Sequence, residues 1–164
     1  MRRARPEPEI ALQNPNRYPE AAACGLRPWL AELVAALAPA LVPGQPASLG
    51  VRFASDREMR RVNHTFRGKD RTTDVLSFPG VEGAEPEPAA RHLGDLLISV
   101  PAARRQAAAA GHGVERELRL LLLHGLVHCL GHDHETDDGR MERLERRLRR
   151  AWLDRPSPAA GAGR

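Results

Sequence analysis

Residues 93–134 read LGDLLISVPAARRQAAAAGHGVERELRLLLLHGLVHCLGHDH. Leu96, Leu97, Ile98 and Val100 form a nearly continuous apolar run, as a strand buried on both faces does. Pro101 has the fixed φ that opens a helix, and an alanine-rich segment follows it to Gly111. Residues 114–130 predict a second, strongly apolar helix that stops at Gly131. A buried strand feeding two helices, in a chain with further strand and helix signals upstream, places the fold in the α/β (α+β) class.

Outward from this stretch the signals are shorter. Residues 27–41 predict a helix, with Trp29, Leu30, Leu33, Val34 and Leu37 at helical spacing, stopped by Pro43, Gly44 and Pro46. Residues 48–54 alternate weakly and suit a strand. Ser55-Asp56-Arg57-Glu58 is a capping box opening a helix to about Phe66. Residues 75–78 suit a short strand, residues 82–90 an exposed loop, and residues 10–12 a short first strand. A last helix over residues 137–153 is acidic at its start (Asp137, Asp138) and arginine-rich at its end, matching the helix dipole. The reading is one compact domain: a mixed sheet of about four strands packed with about five helices. Residues 1–23 form a partly ordered N-terminal segment, residues 24–154 the domain, and residues 155–164 a disordered Pro/Ala/Gly tail.

Composition narrows the function classes. The 164 residues hold 41% apolar side chains, enough to exclude a wholly disordered chain, and a chain of this length buries roughly 70% of its unfolded surface. Lys and Arg number 25 against 21 Asp and Glu, a net charge of +4, and Lys69 is the only lysine. The arginine bias fits GC-rich coding and a phosphate-binding surface equally; a polyanion partner suits either. Aromatics at 4% argue against a base-stacking platform of Phe and Tyr. Cys24 and Cys129 are too few for a disulfide framework. The basic start, followed by Glu7, Pro8 and Glu9, predicts no signal peptide, and no stretch is long enough to cross a membrane, so a cytoplasmic protein is expected.

Most of the chemistry sits in residues 124–134. His124 and His128 lie one helical turn apart on the same face, the separation at which two ring nitrogens reach one ion. Gly131 can take the left-handed conformation that returns the chain, so His134 supplies a third nitrogen from beyond the helix, with His132 as its competitor. Three neutral imidazoles suit Zn²⁺ with one open position, the mark of catalytic rather than structural zinc. Cys129 reads as a small buried side chain. The ligand spacing also matches the metzincin proteases, but these need a glutamate where this chain has Gly125, and glycine cannot move a proton.

The segment His124-Gly-Leu-Val-His128-Cys-Leu-Gly-His-Asp133-His134 resembles the H-G-x-L-H-L-x-G-Y-D-H signature of the YbeY family, endoribonucleases and ribosomal-RNA maturation factors. NHTFRGKDRTTDVLSFP (63–79) resembles that family's N-x-x-[YF]-R-x-x-[DN]-x-x-TDVLSFP block. LGDLLIS (93–99) resembles its L-G-D-I-x-I-S strand, and Gly111-His112 with Glu115-Arg116-Glu117 its G-H-x-x-E-R-E lead-in. The likeness covers about residues 55–153, with His132 and Cys129 where Tyr and Leu are usual. It implies a compact fold around a mixed sheet with a zincin-like zinc helix. It further implies a bacterial, zinc-dependent, single-strand-specific endoribonuclease of 16S rRNA 3′-end maturation and ribosome quality control. Expected partners are single-stranded RNA, the 16S rRNA precursor, and the 30S subunit with its assembly factors. Arg67 matches the family's functional arginine, and its planar fork suits a phosphate.

The remaining polar residues divide more evenly. Asp133 either orients a ligand histidine or caps its turn, and Asp95 either reaches the cleft or caps its strand. Asp74 and Ser77 suit strand-end hydrogen bonds. Glu117 is expected to pair with an arginine. His64, His92 and His112 read as surface or capping residues, and the arginines of the last helix as a solvated face. Two other classes stand beside the nuclease: a ribosome-assembly factor with structural zinc, and a metal-dependent hydrolase of another substrate.

Overall fold

The computed structural model describes residues 7–23, 25–37, 45–80, 91–131 and 138–154. In chain order these form β1 (Glu9–Gln13), a 3-10 turn (Pro15–Arg17), α1 (Pro19–Ala23), α2 (Leu26–Leu37), β2 (Ala47–Ala54), α3 (Asp56–Arg67), β3 (Val75–Pro79), β4 (Arg91–Ser99), α4 (Val100–Ala110), α5 (Val114–Cys129) and α6 (Arg140–Trp152). The α/β class and the four strands agree with the sequence reading. The sixth helix is α1, five residues in a proline-rich stretch too short to show a helical period. The loop at 82–90, the tail from 155 and the expected end of the first long helix at 38–41 lie outside the described residues.

The sheet order is β1-β2-β4-β3. β1 runs parallel to β2 and β2 to β4, while β3 returns antiparallel along β4. Side-chain alternation along β4 sorts the packing. Leu96 and Ile98 face a large core with Leu30 and Leu33 of α2, Val51 and Phe53 of β2, and Leu122 and Leu126 of α5. Leu97 points to the opposite face, where Leu76 of β3 and Met59 of α3 close a smaller cluster. The helix α5 thus lies on one side of the sheet and α3 on the other. A third cluster, Leu123 and Val127 with Met141 and Leu148, packs α6 against the outer side of α5.

The helix starts show where local rules hold and where they give way. Ser55 Oγ accepts from the Glu58 amide at 3.2 Å, half of the expected capping box. The Glu58 carboxylate accepts instead from Arg52 Nε on β2 at 2.7 Å, because a formal cation outbids a backbone amide. Ser99 caps α4 through Ala102 N, so Val100 begins the helix rather than ending the strand. α6 begins at Arg140, not near 137: Asp138 (φ 53) and Gly139 (φ 78) are left-handed, and Glu142 is the acid of its first turn.

Candidate metal centre

The helix α5 carries two of the three predicted histidines, His124 and His128, near its C-terminal end and is buried on most of its circumference by the sheet and α6. His124 and His128 are brought together as the spacing requires, with ring centroids 4.8 Å apart and planes at 75°. Both are half-buried. After the helix, Gly131 takes the expected left-handed conformation at φ 89. His134, with His132 and Asp133, lies outside the described residues. Among the described residues no group of three His, Cys, Asp or Glu side chains converges on one point.

One residue that sequence reasoning missed completes this half of the site. Glu145 of α6 is 5% exposed and places Oε2 3.0 Å from His124 Nδ1, while Oε1 accepts from Arg149 at 2.6 Å. Burial alone would raise its pKa, but the hydrogen bonds from His124 and Arg149 prevail and hold the carboxyl at about 2. An ionised carboxylate at Nδ1 fixes the proton of a neutral imidazole there, leaving the Nε2 lone pair for a ligand. The donor chemistry therefore fits a divalent metal, which His124 and His128 would help to hold. The signal was present in the sequence: Met141, Glu145 and Leu148 recur at i, i+4 and i+7, an acid within a buried stripe. Arg149 stays on the exposed arginine face of α6 while one of its nitrogens reaches in to Glu145.

Gly125 is held by packing. A Cβ at this position would lie 2.9 Å from Leu96 Cδ2 and 3.3 Å from Ser77 Oγ. Ser77 donates to the Gly125 carbonyl at 3.3 Å, tying helix to sheet rather than finishing a strand. Asp74 does take the strand-end role, accepting from Val75 N at 2.8 Å. Cys129 sits against Gly94, where a Cβ would be 2.7 Å from its Sγ. Burial, with the charge of Asp95, pushes its thiol up to about 12, as befits an unreactive side chain half-buried against the core.

Arg67 is the last residue of α3, exposed and without a hydrogen bond or ion pair among the described residues. The body of α3 packs on the opposite side of the sheet from α5, and no described contact joins Arg67 to the histidines. Its neighbour Phe66 meets Phe78 edge to face at 5.3 Å. The Phe78 carbonyl approaches Gly94 beside Cys129, so this end of β3 lies between the two helices. Glu117 pairs with His112 at 3.1 Å rather than with an arginine, because His112 in the α4–α5 turn folds back over the first turn of α5. His92 bridges Ser48 Oγ (3.0 Å) and Asp95 (2.9 Å), and His64 is exposed.

Sheet order, helix placement and the paired imidazoles of α5 define a single α/β domain built on a mixed four-stranded sheet. Residues 12–152 match the family model described as Endoribonuclease YbeY, and the chain belongs to the YbeY family. It is 52% identical over 98 residues to the Endoribonuclease YbeY of Solibacter usitatus, covering 59% of this chain and 60% of that one. To the protein of the same name from Picosynechococcus it is 43% identical over 125 residues, 74% of each. The chain thus spans about 60% to 74% of the length of these relatives. The solution structure of TM1509 from Thermotoga maritima shares the fold, with a TM-score of 0.56 at 23% identity, covering 95% of this chain and 98% of that one. Among the described residues no helix is long and apolar enough to cross a membrane.

Proposed function

We propose that this protein is a zinc-dependent, single-strand-specific endoribonuclease acting in 16S rRNA 3′-end maturation and late ribosome quality control. The observation that carries the reading is the His124–His128 pair with Glu145 behind it, on the helix where the family signature falls. His124, His128 and His134 would hold the metal. A bound zinc ion supplies a Lewis acid for phosphoryl oxygen and lowers the pKa of water toward neutrality. Glu145 keeps the His124 ring turned and its proton on Nδ1. Arg67, with no anion of its own among the described residues, offers a planar fork to a phosphate and opposes the charge that builds on it during cleavage. The substrates are single-stranded RNA and the 16S rRNA precursor, met on the 30S subunit with its assembly factors in the cytoplasm.

Purified protein incubated with single-stranded RNA, with and without chelator and beside His128→Ala, tests this reading. Cleavage is expected in the metal-loaded protein alone. Equal activity in every sample would assign the cleavage to a contaminant and defeat the proposal. Arg67→Ala should retain its metal and cleave poorly.

A further inference from the structure

A groove of about 350 Å³ runs over the sheet face that carries α3, away from the paired histidines. Its walls are Val62 and Phe66 of α3, Phe78 of β3 and Leu97 of β4, and its rim carries Gln13 and Asp95. Phe66 is 67% exposed, the exposed large hydrophobic among the described residues. The Phe78 ring, edge to face against it at 5.3 Å and 70°, holds the Phe66 ring upright and leaves it open to solvent. Across the groove, Gly50 makes room for Asp95, whose Oδ1 would lie 2.1 Å from any Cβ there, while His92 fixes its other oxygen at 2.9 Å.

We infer that this groove is a nucleobase subsite, in which one base of a single-stranded RNA stacks on Phe66. This rests on the nuclease reading above and adds to it where a base is held. A nucleobase is flat and apolar on its faces and polar at its edge, and the groove pairs an exposed ring with a fixed carboxylate and an amide at the rim. A purely apolar surface would cover Asp95 Oδ1 without supplying a hydrogen-bond donor, whereas the edge of a base carries one. Arg67 follows Phe66 on α3, projecting about 100° round the helix and outside the groove lining, where its exposed guanidinium can meet the backbone of the strand beyond the stacked base. The low aromatic content of the chain argued against a stacking platform, yet the fold gathers two of its three phenylalanines on one rim.

The test is binding of a fluorescent, 2′-O-methylated single-stranded octaribonucleotide to the metal-loaded protein, followed by anisotropy, with a single abasic position walked along the strand. Stacking on an aromatic ring is worth about 1–3 kcal/mol per base, or roughly 5- to 140-fold in affinity. Phe66→Ala should lose that factor, and one abasic position should lose it in the wild type but not again in the variant. Phe66→Trp, which keeps a stacking face, should bind as the wild type does. Wild-type affinity in Phe66→Ala, or an abasic penalty undiminished in that variant, would overturn the subsite. If the wild type cleaves single-stranded RNA and Phe66→Ala binds normally, only the subsite falls. If the wild type neither cleaves nor binds, the nuclease reading falls and the subsite with it.

Discussion

Glu145→Ala removes a buried carboxylate that, among the described residues, is hydrogen-bonded by two side chains, His124 at 3.0 Å and Arg149 at 2.6 Å. The ring of His124 then loses the acceptor that sets its tautomer and rotation. Losing such an outer partner costs about 10- to 100-fold in metal affinity, or about 1.4–2.8 kcal/mol. Arg149 is 46% exposed on its side chain, so water replaces its lost partner and the penalty falls mainly on His124. Glu145→Gln keeps the volume but not the charge and should fall at the lower end of that range. Arg149→Ala, which leaves the His124 contact intact, should bind metal nearly as the wild type does. Competition against a chromophoric chelator measures the affinities, and circular dichroism of the metal-free proteins confirms the fold. Wild-type affinity in Glu145→Ala, or an equal loss in Arg149→Ala, would refute the proposed role.

Three further outcomes follow from the packing and the charges. Gly125→Ala forces a methyl group to 2.9 Å from Leu96 Cδ2 and should destabilise the fold by about 1–3 kcal/mol, which thermal unfolding reads as about 2–4 °C per kcal/mol; an unchanged midpoint would disprove the close contact. Asp56 accepts from Arg105 at 2.8 Å and from Ser99 at 2.8 Å, and the Arg105 pairing above all, against a cost of burial, lowers its pKa. Its contribution is therefore complete above the ordinary carboxylate range and is lost as pH falls through the lowered value, so the acid limb of the stability profile should flatten in Asp56→Asn. Cys129, with its thiol held at about 12, should resist alkylation at neutral pH in the native protein and react on unfolding; rapid native labelling would contradict its burial.

The legible parts of the fold were those where one local rule acts alone. The apolar run of β4 and the spacing of His124 and His128 need no knowledge of neighbours, and the structure places both as expected. Glu58 was misassigned because Arg52, six residues back on another element, competes for its carboxylate. Glu145 hid among the arginines of α6, and its value depends on α6 lying against α5, a tertiary fact. Phe66 and Phe78 are unremarkable apart; only the pairing of α3 with the end of β3 makes them a rim. Ser77 belongs to the same class, since its acceptor is a carbonyl on a helix 48 residues away.

The seam at Gly125 constrains what this helix can become. Installing a proton-transferring acid between the two histidines is, on paper, a single substitution that would convert the ligand spacing into a peptidase signature. Here that change would drive a carboxylate against the Leu96 and Ser77 side chains, so the helix would have to lift from the sheet or those side chains repack first. The tight seating of the helix on these side chains therefore insulates the domain from one neighbouring chemistry, whatever substrate it serves.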